Sequence, residues 1–210
     1  MLATPTIDMP PVRGYAPDME LAQEMHLLHQ ALSGCDASFR ALVEEHSPQL
    51  LRLAWRMLGN HSDAEDIVQE AFLRLHRHLP TFRGDSRLST WLYRTVTRLA
   101  IDVLRREKLK RILFFSRRDN DAPDPVELFA DPRPGQESQL IAKQQLAVVR
   151  RQLDKLSAQQ RAVLTLRHQE QLPLLDIAEL LGISEGSVKT HLHRAVRSLR
   201  SALDKTEVLP

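Results

Sequence analysis

The chain has little cysteine, few aromatic residues and no long apolar run. It contains one Cys in 210 residues, which excludes a disulfide framework and any Cys-rich zinc site. Charged residues interrupt every apolar stretch within a few positions, so no segment is long enough to span a membrane. The N-terminus has no basic segment followed by an apolar core, so we expect no secretory signal. We therefore expect a soluble, intracellular protein.

Signatures of catalysis and of metal binding are also missing from the sequence. No Walker loop, nucleophile elbow or paired-carboxylate pattern occurs, so we expect no enzyme and no cofactor. His191 and His193 are two residues apart on a predicted helix and point about 200° away from each other, so they cannot hold one ion. His26 and His29 have a suitable spacing but no third ligand nearby. We expect no metal site.

The residues that are abundant favour helices. Aromatic residues make up 5% of the chain, β-branched runs are scarce, and Leu, Ala, Arg, Gln and Glu are common, which predicts an all-α fold. Prolines collect in the first 20 residues and again between 123 and 134, which predicts a disordered start and a flexible linker. We predict two small helical domains, divided as 1–20 disordered extension, 21–107 first domain, 108–140 linker, 141–205 second domain and 206–210 tail.

The net charge of +2 hides separate charged segments. Lys108 to Arg118 carries five basic and no acidic residues, whereas Asp119 to Leu140 carries six acids and one Arg. Segregation of this kind indicates several binding surfaces rather than one uniform field. An ordinary solvated surface is the alternative interpretation.

Local patterns place three helices in the first domain. Gly59 and Asn60 end the first helix, Ser62 and Glu65 form a capping-box pattern for the second, and Pro80 ends the second. The third is predicted to begin near Ser86 or Ser89. The apolar rhythm of the first helix comprises Phe39, Leu42, Val43, His46, Leu50, Leu53, Ala54, Met57 and Leu58.

The second helix opens with acidic residues, which have two interpretations. Acids near a helix N-terminus stabilise the helix dipole. This accounts for Asp63, Glu65 and Asp66 well, and for Glu70, two turns in, less well. The alternative is an acidic, glutamine-bearing face offered to a basic partner helix.

The third helix is rich in arginine. Six Arg and two Asp lie between Arg83 and Arg106, with Trp91 and Tyr93 among them. Arginine neutralises phosphate and an aromatic ring stacks on an unpaired base, so this pattern suits a nucleic acid strand. In the alternative interpretation Trp91 belongs to the core and the arginines are solvated.

Residues 172–188 have the pattern of a helix-turn-helix. Ala178 is small where two helices cross, and Gly182 stands where the chain needs a positive φ. Ser184 can cap the second helix, and Val188 can pack back on the first. This spacing is the helix-turn-helix arrangement.

The second helix of this motif has an apolar and a basic side. At 100° per residue, Val188, Leu192, Ala195 and Leu199 form one stripe. No acid lies between Glu185 and Asp204, so the opposite face can enter the DNA major groove. A solvated helix of a plain bundle is the alternative. The opposite face carries Lys189, Thr190, His193, Arg194 and Arg197.

Taken together, these motifs resemble a known family. The segments Asp63–Phe72, Phe82–Ser86, Thr90–Arg94 and Gly186–Ala195 occur in this order, with a linker before the last. In this respect the chain resembles the extracytoplasmic-function (ECF) sigma factors of bacteria over about residues 20–205. The resemblance implies a sigma-2-like helical bundle followed by a sigma-4-like helix-turn-helix domain.

The resemblance also implies partners and site residues. The implied partners are core RNA polymerase, through its β′ clamp coiled coil and its β subunit, promoter DNA and an anti-sigma factor, all in the bacterial cytoplasm. The implied polymerase-binding residues are Asp63, Glu65, Asp66, Gln69 and Glu70. Those for the −10 element are Phe82, Arg83, Gly84, Asp85, Ser86, Arg87, Trp91, Tyr93, Arg94 and Arg98. Those for the −35 element are Ser187, Lys189, Thr190, His193, Arg194 and Arg197.

Two other functions compete with this hypothesis. One is a stand-alone helix-turn-helix regulator that binds DNA without polymerase, and the acidic helix and the segment from Phe82 to Tyr93 argue against it. The other is an enzyme with a DNA-binding tail, for which no catalytic constellation exists.

Overall fold

The computed structural model describes residues 21–79, 87–115, 149 and 151–207. This part of the chain consists of helices and the short connections between them. The all-α prediction is confirmed. A helical segment at 151–155 precedes α5. The helices are α1 Leu21–Leu32, α2 Asp36–Leu58, α3 His61–His78, α4 Leu88–Phe115, α5 Ala158–His168, α6 Leu174–Leu181 and α7 Glu185–Glu207.

The corner between α2 and α3 is built by two adjacent residues. Gly59 has φ 74°, and its N–H donates to the Trp55 carbonyl, which ends α2 as predicted. The Asn60 side chain accepts from the backbone N–H groups of Ser62 and Asp63, at 2.9 and 3.4 Å. The prediction that Ser62 caps α3 is therefore wrong, because α3 already begins at His61 and Asn60 is the cap.

The first four helices bury the predicted apolar stripes against one another. Leu53 in α2, Leu75 in α3 and Leu92 in α4 are fully buried. His46 of α2, also buried, lies 3.1 Å from the Glu24 carboxylate of α1. This contact joins α1 to α2 within the buried part of the bundle.

Helix α4 is longer than the sequence predicted. It continues to Phe115, eight residues beyond the predicted domain boundary at residue 107. The basic segment that was assigned to the linker contains no Gly or Pro before residue 115, and a Glu107–Lys110 ion pair of 2.9 Å supports its first turn. The first residues of the predicted linker, 108–115, are therefore helical, and its remaining residues, 116–140, lie outside the described residues.

The second block contains the predicted helix-turn-helix in α6 and α7. Gly182 has φ 66°, and its N–H donates to the carbonyls of Ala178 and Glu179. Ser184 Oγ accepts from the Ser187 N–H at 3.1 Å and caps α7, while Val188 is fully buried. The predicted roles of Gly182, Ser184 and Val188 are confirmed.

The two blocks are packed together. Helix α4 contacts α5 and α6, and α2 contacts α5. One cluster of buried apolar side chains continues from the first block into the second. Two separate domains were predicted, and only the tertiary structure brings them into contact.

Two glycines of the helix-turn-helix should respond oppositely to alanine substitution. Gly182→Ala is expected to lose about 1–2 kcal/mol of unfolding free energy, because an L-residue there is held in the left-handed region. A Cβ at Gly182 meets nothing within 4 Å, so the loss comes from the backbone alone. Gly186→Ala is the matched control: it is helical, its Cβ would lie 3.9 Å from Ser184 Oγ, and a gain of up to about 0.5–1 kcal/mol is expected. Urea unfolding measures both, and effects of the same sign would contradict the assignment.

Candidate functional site

An acidic face lies on the exposed side of α3 (Asp63, Glu65, Asp66, Gln69 and Glu70). The core-facing stripe of this helix, which includes Ala64, Ile67 and Val68, is buried. Helical geometry therefore turns the acidic face outward. Glu65, Asp66 and Gln69 are exposed, and Asp63 and Glu70 are partly exposed. The arrangement presents carboxylates and an amide for contact with a basic surface.

Glu70 has a partner that the helix-dipole interpretation omits. Arg74 Nε donates to Glu70 Oε1 at 2.8 Å, one turn further along α3. This hydrogen bond, strengthened by the positive charge of Arg74, lowers the pKa of Glu70 below its ordinary value. Glu70 is thus held ionised and oriented within the acidic face.

The structure describes some of the residues predicted for the −10 element and not others. Phe82, Arg83, Gly84, Asp85 and Ser86 lie outside the described residues. Arg87 and Arg98 are exposed.

The two aromatic residues of α4 have different environments. The Trp91 ring is half-buried and makes an edge contact with His78, with centroids 6.1 Å apart. Tyr93 is 2% exposed and belongs to the core. Two residues turn a helix by about 200°, so one ring reaches the surface while the other does not. Tyr93 was predicted to contact the −10 element, and the structure places its ring in the core, away from the surface.

Arg94 of α4 contacts the second block. Its Nη2 donates to the backbone carbonyl of Glu179, in the last turn of α6, at 2.9 Å. Burial lowers the pKa of this guanidinium, and the nearby charge of Arg98 lowers it further. A predicted −10 residue thus lies between the two blocks.

A recognition face occupies the outer side of α7, defined as the six residues predicted for the −35 element. Ser187 is half-buried, and its Oγ lies 2.8 Å from Ser184 Oγ. Lys189 pairs with Glu185 at 2.8 Å. The exposed members of this face are Lys189, Thr190, His193, Arg194 and Arg197.

Several residues that join the two blocks were not predicted from the sequence. Arg56 Nη1 of α2 pairs with Glu170 Oε1 at 2.8 Å. Arg161 of α5 is held by Asp154 at 3.1 Å and donates from Nη2 to the Leu58 carbonyl at 3.2 Å. Because the Arg56 and Arg161 contacts to the other block cross more than 100 residues of sequence, no local pattern could predict them.

Within the described part of the chain, no three His, Cys, Asp or Glu residues are grouped so that they could hold a metal ion. No helix of that part is both long and apolar enough to cross a bilayer.

Two family models match the two blocks. The model described as Sigma-70 region 2 matches residues 42–110, which include the acidic face and most of α4. The model described as Sigma-70, region 4 matches residues 146–199, which include the helix-turn-helix.

Curated relatives match across both blocks. The chain is 31% identical over 176 residues to the ECF RNA polymerase sigma factor SigW of Bacillus subtilis, covering 84% of this chain and 94% of that protein. It is 33% identical over 178 residues to the ECF RNA polymerase sigma factor SigL of Mycobacterium tuberculosis, covering 82% and 92%.

Solved structures share the fold. CnrH, in complex with the cytosolic domain of CnrY, has a TM-score of 0.54 at 23% identity and covers 87% of this chain and 98% of that chain. RpoE of Bartonella quintana, in complex with the anti-sigma factor NepR, has a TM-score of 0.52 at 21% identity and covers 79% and 96%.

Proposed function

The chain belongs to the ECF sigma factors of RNA polymerase. From this we propose that separate surfaces of the chain bind core polymerase and promoter DNA during promoter-specific transcription initiation. Two exposed surfaces of opposite character on one chain, the acidic face and the recognition face, carry the proposal. One suits a basic protein helix and the other suits the DNA major groove. The chain itself catalyses no reaction and acts in the bacterial cytoplasm.

The acidic face binds the β′ clamp coiled coil of core polymerase. Exposed Glu65, Asp66 and Gln69 offer two carboxylates and an amide along one side of α3. Complementary charge raises the association rate and fixes the register of docking more than it adds affinity. An anti-sigma factor is the proposed competitor for this face, and the β subunit is the second proposed polymerase contact.

Helix α4 and the segment before it bind and open the −10 element. Trp91 offers a partly exposed ring, and Arg87 and Arg98 offer exposed guanidinium groups for phosphates. Extruding a base costs a few kcal/mol, which stacking and hydrogen bonds to the base must recover. Arg94 joins this surface once it leaves the Glu179 carbonyl.

The recognition face binds the −35 element. Helix-turn-helix proteins read base edges with the N-terminal part of the second helix, where Lys189, Thr190 and His193 are exposed. Arg194 lies beside them and can reach a base or a phosphate. Polymerase holds the chain on the promoter, so the near-neutral net charge is no obstacle.

Transcription from purified components tests the proposal. The chain is mixed with core polymerase and genomic templates, and transcript starts are mapped. Sigma activity gives starts that share two upstream elements. A stand-alone regulator gives no promoter-specific transcript, and that result would reject the proposal.

Arg194→Ala is expected to weaken binding to a mapped promoter by about 1–3 kcal/mol if Arg194 contacts a base. Arg200→Ala is the matched control, because Arg200 is exposed on the same helix, about 9 Å further from its start at 1.5 Å per residue. Holoenzyme titrations on fragments with intact and altered −35 elements measure both. Equal effects of the two variants would remove Arg194 from the site.

A further inference from the structure

His78, the last residue of α3, lies against the Trp91 ring of α4. The two ring centroids are 6.1 Å apart and the ring planes cross at 64°, which is an edge contact. Aromatic pairs prefer crossed planes and centroid separations of about 4.5–7 Å, because the positive edge of one ring meets the negative face of another. The contact therefore connects two helices at the surface that is proposed to bind the −10 element.

The Trp91 ring is held on one side and accessible on another. It packs partly against the buried core and meets the His78 ring, yet the residue stays partly exposed. Its backbone is also held, because Thr95 Oγ1 donates to the Trp91 carbonyl at 2.8 Å. A ring that is already oriented can stack on an unpaired base without a further loss of rotamer freedom on binding.

The last turn of α3 gives His78 a firm support. Leu75 and Leu79 are buried on either side of this turn, and the His76 ring makes an edge contact with Phe39 of α2, with centroids 5.2 Å apart. Residues 76 and 78 are about 200° apart around the helix, so one ring meets α2 and the other reaches α4. His78 itself is exposed, so the core does not depend on its side chain.

The helix dipole offers another interpretation of His78. Three basic side chains, those of His76, Arg77 and His78, lie in the last turn of α3, where a cation is favourably placed with respect to the dipole. This interpretation gives the same role to all three residues. An effect of His78 on the Trp91 ring that Arg77 does not share would separate the two interpretations.

We propose that His78 is a positioning residue for promoter opening: its ring orients the Trp91 indole so that the accessible part of the indole stacks on an unpaired base of the −10 element. His78 acts through Trp91 and does not touch the base. Arg87, one helical turn before Trp91, is exposed on the same side of α4 and can neutralise the phosphate of the stacked nucleotide. The use of the ring pair on DNA rests on the proposed function, whereas the orientation of Trp91 by His78 does not.

The decay of tryptophan fluorescence anisotropy in the free chain tests the orientation. The chain has two tryptophans, so Trp55→Phe, at an exposed position, leaves Trp91 as the one indole. In this background His78→Ala is expected to increase the amplitude of fast local rotation, and His78→Phe, which keeps an aromatic edge, to return it towards the wild-type value. Arg77→Ala is the matched control, because it removes a cation from the same turn, and should leave the decay unchanged. An unchanged decay in His78→Ala would overturn the proposal.

Binding of a single-stranded probe to the holoenzyme tests the use of this ring pair on DNA. The probe is the labelled non-template strand of a mapped promoter, limited to the −10 element. His78→Ala is expected to weaken probe binding about 2–10-fold, because a mobile ring must be ordered on binding, and His78→Phe is expected to recover most of the loss. In a chain that carries Trp91→Ala, the further change His78→Ala should have no effect, since the ring through which it acts is missing.

The outcomes separate the role of His78 from the proposed function. If the loss caused by His78→Ala persists in the Trp91→Ala chain, His78 contacts DNA itself and the positioning role is wrong. The role is also wrong if Trp91→Ala weakens probe binding and His78→Ala does not, or if His78→Phe recovers nothing. If Trp91→Ala leaves probe binding unchanged, the −10 role of Trp91 in the proposed function fails instead, and the stacking proposal fails with it, whatever the anisotropy decay shows.

Discussion

Asp66→Arg is expected to weaken binding of core RNA polymerase by about 10–100-fold. Asp66 is exposed near the middle of the acidic face. If this face meets a basic coiled coil, the reversal replaces an attractive contact with a like-charge contact, which costs several kcal/mol when it is desolvated. Each tenfold loss corresponds to about 1.4 kcal/mol. Titration of labelled chain with core polymerase measures the effect.

Asp66 is a cleaner position than Glu70 for this test. Reversal at Glu70 also breaks its 2.8 Å contact with Arg74 and places two positive charges one turn apart, so stability and binding would change together. Glu44→Arg, at an exposed position of α2, is the matched control and should bind polymerase like the wild type. DNA binding through the recognition face should be unaffected in both variants. Equal polymerase affinity of the two variants would refute the role of the acidic face.

Leu53→Ala is expected to lower the unfolding free energy by about 2–5 kcal/mol. The Leu53 side chain is fully buried in α2, and truncation removes buried methyl groups and leaves a cavity. Trp55→Ala removes a larger apolar side chain two residues away, yet Trp55 is 52% exposed, so a loss of at most about 1 kcal/mol is expected.

Urea unfolding of both variants and the wild type measures these free energies. Far-UV circular dichroism supplies the control that each variant is helical before denaturant is added. A loss for Trp55→Ala as large as that for Leu53→Ala would mean that Trp55 is covered in solution by a contact that the monomer does not show.

The faces of individual helices could be predicted from the sequence. The apolar rhythm of α2 included Leu53 and left out Trp55, and the structure buries the first and exposes the second. The angular pattern of α7 likewise placed Val188 inside and Arg194 outside. These predictions succeed because helix periodicity is a local property and one buried side must be apolar.

The sequence did not distinguish between nearby residues that suit the same structural role. Ser62 and Asn60 are both good capping residues, and the order of the α2–α3 corner made Asn60 the cap. Trp91 and Tyr93 both suited a stacking role, and the rotation of α4 against its neighbours put Tyr93 in the core. Both outcomes depended on how whole helices pack against each other, which amino-acid composition does not encode.

The sequence by itself determined the helical fold, the acidic and basic faces and the helix-turn-helix, because each of these follows from spacing within a few turns. Only the tertiary structure decided that Arg94 meets Glu179 and that Arg56 meets Glu170, contacts that cross 85 and 114 residues. Such contacts exist because two amphipathic blocks bury their remaining apolar surface against each other. The polar groups around that surface must then find partners across it.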